Sequence, residues 1–466
     1  MALCGEPGHA CGSSLVRSYR AVIATNSIRI GAGAGFAGDR IEPAIELVEQ
    51  GNLDFLVFEC LAERTIALAQ AAMLAEPDKG YDPLLLERMR RVAPLAQQRG
   101  VRIITNAGAA NPLGAAQAVA KLAREQGLAP LRIAAVLGDD VLSLVQDSNY
   151  PLVDRDGTCR DLPNTLSANA YLGAGPIAQA LSQGADIVIT GRVGDPALFI
   201  GPMLHAFGWS LDDADMIGRA TVIGHLLECA GQLCGGYFAD EGRKSVPDLA
   251  RLGFPLAEIA ADGTALLTKV SGSGGRISLA TCKEQLLYEI LDPKAYYQAD
   301  VIADFSTVRF EERGVDHVAV SGGSGREPSG LLKVSIGYDD GFIGEGQIAY
   351  AGPGAVARAR IATDVVRERL AIIGAPVCDV TAEIIGVDAI DRTGTGGTPR
   401  EVRARVVGRA ATRAAAEQIG AEVEALYTNG PFGGGGVTRS VRKIVAVAST
   451  LIPAKLAQPR IILVEA

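Results

Sequence analysis

The chain has 466 residues, of which 48% are apolar, 21% charged and 5% aromatic, and its formal net charge is −9. That length suits two domains at roughly 100–200 residues each, and the composition excludes disorder and calls for an interior of Ala, Val, Leu and Ile. An acidic balance without a clustered Lys/Arg run excludes a nucleic-acid partner, and the lack of a long uninterrupted apolar stretch excludes a membrane span.

The first residues are Gly- and Ser-containing and poorly patterned, so 1–28 reads as a loosely ordered leader. It carries Glu6, His9, Arg17 and Arg20 without a secretory apolar core, and a cytoplasmic protein is expected. Short β-branched runs follow at SIRI (27–30), DFLVFE (54–59), VRIITN (101–106), RIAAVLG (132–138) and ADIVIT (185–190). Between them, PAIELVEQG (43–51), ERMRRVAPLAQQRG (87–100) and GAAQAVAKLAREQG (114–127) carry apolar residues at helical steps and end at a glycine. Apolar strands alternating with helices predict an α/β domain over 29–262, a largely parallel sheet with helices on both faces. Beyond about residue 260, GLLKVSIGY (330–338), DVTAEIIGV (379–387) and EVRARVVGR (401–409) alternate apolar with polar. They predict an α+β portion over 263–466 with one wetter sheet face, a Gly-rich loop and a C-terminal helix. The cysteines at 4, 11, 60, 159, 229, 234, 282 and 378 form no CxxC pair and read as reduced thiols, with no metal expected.

Several long strings lie within this pattern: SANAYLGAGPIAQAL, GADIVITGRVGDPAL, HAFGWSLDD and GHLLECAGQLCGGYF, together with TNAGAANP (105–112), QLLYEILDP (285–293) and GGGGVTRSVRKIVAVASTLIP (433–453). On these the chain resembles the acyclic terpene utilisation AtuA family from residue 28 onward. The resemblance implies a catabolic setting, either branched acyl-CoA compounds of the citronellol and geraniol route or small dicarboxylates, and it brings no assigned catalytic residues. Some relatives carry an additional small ferredoxin-like region; the chain stops at RIILVEA (460–466) without one, so a small ferredoxin-like partner subunit is an expectation.

Two glycine loops stand out. GAGAGFAG (31–38) holds G-x-G-x-x-G at Gly33, Gly35 and Gly38, with Glu59 ending the next strand. This is the placement of a dinucleotide fingerprint, but a tight substrate-facing turn is the favoured reading, with a plain chain reversal as the third. In NGPFGGGGVTRSVRK (429–443), Gly433, Gly434, Gly435 and Gly436 precede a predicted helix with a buried stripe of Val437, Val441, Ile444, Val445 and Ala448. Arg439, Arg442 and Lys443 would crowd its first turns against the helix dipole, an arrangement that an anionic substrate group or an acidic side chain would relieve.

Ligands of parallel α/β sheets sit beyond the carboxyl ends of the strands. The residues there are Glu59, Asn106 with Asn111, Asp139, and Arg192 with Asp195. Arg192 suits a carboxylate, and Asp195 would orient it or act as a base, unless the two simply close a loop. His225 and Glu228 stand three apart on one helix face with Gln232 a turn beyond, a proton-carrying pair, a metal pair or a structural hydrogen bond. Asn169 and Tyr171 with Lys269, Ser271, Thr281 and Gln285 form a second polar group, and His205 reads as a packed surface or interface residue.

The expected function is a lyase or hydratase-type enzyme taking a small anionic substrate, a branched carboxylate or its acyl-CoA, by proton abstraction beside a carbonyl. His225, Glu228 and Asp195 would carry protons; Arg192, Asn106, Asn111, Glu59, Asn169, Gln232, Gly433–Gly436 and Arg439 would bind substrate. The alternatives are an NAD-dependent oxidoreductase using Gly33, Gly35 and Gly38, or a subunit active only with its small partner. A homo-oligomer is expected, and no cofactor is specified.

Overall fold

In the computed structural model, residues 27–128, 130–391, 393 and 399–466 are described. The expected leader lies outside them except for its last two residues, which open the first strand. In chain order the early strands are β1 (Ser27–Ala34), β2 (Phe55–Phe58), β3 (Arg102–Thr105), β4 (Arg132–Leu137), β5 (Thr165–Ala170) and β6 (Ile187–Thr190). The helices between and after them are α1 (Glu42–Gln50), α2 (Glu63–Ala75), α3 (Leu85–Arg99), α4 (Pro112–Glu125), the one-turn α5 (Leu142–Val145), α6 (Gly175–Ser182), α7 (Ala197–Phe207) and α8 (Ala214–Glu228). The expected strands and helices of this half all form, because their apolar runs are buried on both faces: β2 and β6 are buried at every residue.

The order β1-β2-β3-β6-β4 is parallel throughout. Helices α1, α3 and α4 pack together on one side, and α6, α7 and α8 on the other. The sheet does not stop there. β7 (Pro255–Ala260), β8 (Ala265–Lys269), β11 (Arg309–Gly314) and β12 (His317–Ser321) extend it antiparallel beyond β1, and β18 (Arg460–Glu465) closes the other edge on β4. The boundary expected at 262/263 therefore falls between two paired strands of one sheet. A small sheet of β9 (Tyr296–Tyr297), β10 (Ile302–Asp304) and β13 (Ser324–Arg326) lies against α8, where Gly218 lets the Ser324 backbone approach closely.

The α+β portion is built on β14 (Leu331–Ala351), followed by α10 (Ala355–Ile372), β15 (Val377–Ile385), β16 (Glu401–Ala410), α11 (Arg413–Asn429) and β17 (Gly435–Pro453); the ninth helix, α9 (Leu279–Leu287), precedes it. The sheet order β15-β16-β14-β17 is antiparallel at every pairing. Strand, helix, two strands, helix and strand in that order make the split βαβ pair of a ferredoxin-like layer, contained within this chain. Its own core holds Ile348, Tyr350, Val366, Leu370, Val402, Ile419 and Leu426. The amino half of β14 belongs to the other core through Val334 and Ile336 and pairs with β5, so this one strand ties both portions together.

The helix expected after the tetraglycine loop is a strand. Residues 435–453 pair with β14 along almost their whole length, with Ala448 opposite Ile336 and Val441 opposite Gly344. The apolar residues at three- and four-residue steps served as false helical signals; the density of Val, Ile and Thr favours an extended chain, whose branched side chains pack on a pleated surface. There is thus no helix dipole for Arg439 to oppose, and its guanidinium pairs with Glu424 of α11 at 2.8 Å.

Gly344 of β14 and the carbonyl of Ala416 on α11 are too close for any side chain to intervene. Gly344→Val is expected to destabilise the protein by about 2–4 kcal/mol through lifting α11 from the sheet. Chemical denaturation monitored by circular dichroism reads this directly, and an unchanged midpoint would refute the packing.

Candidate functional site

The carboxyl ends of the parallel strands bring one band of polar groups together. After β2, Glu59 Oε1 accepts from Leu61 N and from Asn106 Nδ2, both at 2.8 Å, while Asn106 Oδ1 accepts from Cys60 N at 2.7 Å. Burial raises the Glu59 carboxyl above its ordinary range, against the lowering field of Arg192. After β4, Asp139 Oδ2 accepts from Arg192 N at 2.8 Å and Asn169 Nδ2 at 2.9 Å, and burial pushes its pKa up to about 6. Gly191 is required here because a Cβ would collide with the Asp139 carboxyl.

Arg192 follows β6 and is 1% exposed. Its Nε donates to Val193 O at 2.8 Å, one terminal nitrogen donates to Leu61 O, and the other donates to Val193 O at 2.6 Å and to Asp195. The Tyr171 ring covers it at 4.4 Å from the guanidinium carbon. Tyr171 OH donates to Glu63 Oε1 at 3.0 Å, and Lys333 Nζ donates to the same oxygen at 2.6 Å. The guanidinium expected to grip a carboxylate is mostly occupied in fastening three strand ends together, and its remaining influence is its field.

On the other side of Glu59 stands the last turn of α8, which begins at Asp213 capping Met216 N. His225 Nδ1 and Glu228 Oε1 are 2.8 Å apart, with His225 1% exposed. Among the described residues His225 Nε2 and Glu228 Oε2 make no hydrogen bond. Tyr296 and Phe305 flank the imidazole, ring centroids at 5.4 and 5.5 Å, and Gln285 Nε2 donates to the His225 carbonyl at 3.1 Å. Burial raises Glu228, His225 lowers it, and Glu59 adds a further upward push, so the two carboxyls share one electrostatic neighbourhood.

Other expected residues fall elsewhere. Asn111 caps α4, accepting from Gly114 N at 3.0 Å and donating to Lys79 O at 2.9 Å. Gly33 lies inside β1 against the Phe58 ring, Gly35 against the Cys229 backbone, and Gly38 beside Phe36. The Gly35 amide donates to Asp39 Oδ2 at 2.8 Å, so a carboxylate already sits where a fingerprint would place phosphate. Gln232 is beside Tyr288 just past α8. Lys269 donates to Ser273 O at 2.7 Å, Thr281 belongs to a capping box with Ser278, and His205 meets Arg102 at 2.9 Å. Arg439 pairs with Gly346 of β14 and the Gly433–Gly436 turn lies beyond it, separated from Lys333 by a run of strand roughly 40 Å long, so they do not share the site. Sequence reasoning missed Tyr296, Phe305, Glu63 and Lys333, and also Arg88, which reaches Asp82 at 2.5 Å and Ala37 O at 2.6 Å to hold the 36–39 loop.

Two hollows lie away from this band. One of about 480 Å³ is lined by Arg102, Arg132 and Asp186 at the starting ends of the strands; another of about 710 Å³ lies along Ser27, Glu258 and Arg309. The lining of neither includes a histidine, whereas the carboxyl-end band holds the His225–Glu228 pair, and that end is where open α/β sheets bind ligands.

The fold and this band define a mixed α/β protein with a buried proton-bearing cluster at the carboxyl ends of a parallel sheet. The family model for the acyclic terpene utilisation protein AtuA matches residues 28–463, and the chain belongs to that family. No curated protein and no solved structure matches it. Among the described residues no helix is long and apolar enough to cross a membrane.

Asp139 provides a test of the band. Its folded pKa of about 6 lies above the ordinary 3.8, so the folded state holds the proton more tightly than the unfolded chain. The resulting stabilisation is complete below pH about 4 and is lost as pH rises through about 6, at most about 3 kcal/mol in all. Asp139→Asn should abolish that slope, seen as a stability difference from wild type that changes between those pH values and is flat outside them; a difference constant across the window would rule it out.

Proposed function

We propose that this chain is a lyase or hydratase-type enzyme of acyclic terpene catabolism, acting on a branched carboxylate or its CoA thioester by proton abstraction next to a carbonyl. The observation that carries the reading is the His225–Glu228 pair: a buried imidazole held by a carboxylate through Nδ1, with Nε2 unpartnered among the described residues. A carboxylate on Nδ1 fixes the tautomer that leaves Nε2 as the base. Glu59, kept protonated to higher pH by burial, is the second proton carrier, suited to delivering a proton to a departing or adding oxygen. Partial exposure of Glu59, Asp195 and Cys229 gives substrate its approach. Negative charge developing on the substrate carbonyl would lie in the field of Arg192, which is fixed in advance and needs no rearrangement.

A panel of branched carboxylates, terpenoid acids, acyl-CoA thioesters and NAD(H), read by thermal stabilisation and then by turnover, tests the reading. A branched acyl compound should stabilise the protein, and His225→Gln should reduce kcat by about 10²–10⁴-fold with the fold retained. Full turnover in the variant would falsify the assignment. Stabilisation by NAD(H) with none from acyl compounds would favour an oxidoreductase, and activity appearing only with a small companion protein would favour the subunit reading.

A further inference from the structure

A second set of buried polar atoms lies under α2, where β5, β14 and β17 present small side chains on one sheet face. Asn169 of β5 pairs with Ser335 of β14, which pairs with Ser449 of β17. Residues opposite one another across strands share a face, and Ser167, two positions before Asn169, shares it too. Ser167 lies opposite Gly337, where a Cβ would collide with the Ser167 hydroxyl and with Ala67 of α2, so only glycine lets α2 close over the seam.

Ser167, Asn169 and Ser335 are 2%, 3% and 1% exposed, yet Ser167 Oγ, Asn169 Oδ1 and Ser335 Oγ make no hydrogen bond among the described residues. Buried polar atoms are almost always satisfied, so three orphaned oxygens at neighbouring positions of one sheet face point to a guest. All three are oxygens. The Asn169 amide is oriented by its Nδ2 bond to Asp139, which leaves Oδ1 facing away from that carboxylate and able only to accept. Asp139 itself is buried, bonded to an amide on either side, and forms no ion pair among the described residues. Lys333, one row further out, is engaged with Glu63 at 2.6 Å.

We propose that this seam binds a monovalent cation, K⁺ or Na⁺, through Asn169 Oδ1, Ser167 Oγ and Ser335 Oγ, with Asp139 behind Asn169 supplying the compensating charge. Neutral oxygens replace the loosely held water of a monovalent ion but do not offset dehydration of Mg²⁺, which demands carboxylates. Among the described residues no group of three His, Cys, Asp or Glu offers a divalent site. The guest would brace β5 against β14, the pairing that joins the two portions of the fold, and this inference is independent of the chemistry assigned to His225.

The experiment is thermal unfolding of the full chain in KCl, NaCl and choline chloride at equal ionic strength. The midpoint should be higher in KCl or NaCl than in choline chloride by roughly 1–3 °C. A double variant, Ser167→Ala with Ser335→Ala, should keep its choline midpoint and lose the difference; if it does not fold, either single variant must weaken the fitted cation affinity severalfold. Equal wild-type midpoints in all three salts would mean that water alone fills the seam and would overturn the proposal, as would a full cation effect surviving in the variants.

Discussion

A guanidinium taken out of water must have its donors met, and Arg192 meets this demand by binding the ends of neighbouring strands to one another. Its backbone amide fixes Asp139 after β4, its side chain fixes Leu61 after β2 and Val193 after β6, and its face is covered by Tyr171 at the end of β5. Desolvating an unpaired charge costs several kcal/mol, so these partners cannot be removed singly. The remainder of the polar band follows from this: the Glu59 carboxyl can stay largely out of water because a fixed positive charge stands near it, and Glu228, further from that charge, relies on His225.

The same arrangement joins the two portions of the fold. Tyr171 and Asn169 end a strand that pairs with β14, and β14 continues into the ferredoxin-like layer. A displacement of that layer would be felt at Tyr171 through Lys333 and Glu63. The sheet junction and the candidate site are therefore one mechanical unit, even though the far end of β14 takes no part in the chemistry.

The parallel half was legible because each of its strands is an apolar run bounded by a turn, and because polar residues just after those runs have few structural uses. That reasoning named Glu59, Asn106, Asp139, Arg192 and, by helical spacing, His225 with Glu228, and the fold gathers them into one band. It did not distinguish a guanidinium free to bind from one consumed by carbonyls, since carbonyl partners such as Leu61 O leave no trace in side-chain identity. Tyr296 sits in a two-residue strand with no periodicity to mark it, and Lys333 is one polar residue of an alternating strand, where it reads as an ordinary solvent-facing position. The stretch 435–453 failed for another reason: long strands passing from one core to another change their buried face, and the resulting apolar spacing imitates a helix.

The first glycine loop shows why fingerprints need their surroundings. G-x-G-x-x-G serves nucleotides when bare amides point at open space. Here Gly35 is small because the end of α8 presses on it, and its amide is already bound by Asp39, itself pushed upward by burial. Close packing of β1 on α8 places Glu228 near Glu59. The glycines thus contribute to the site by bringing two carboxyls within range of each other, and the proton chemistry assigned to the pair depends on that proximity.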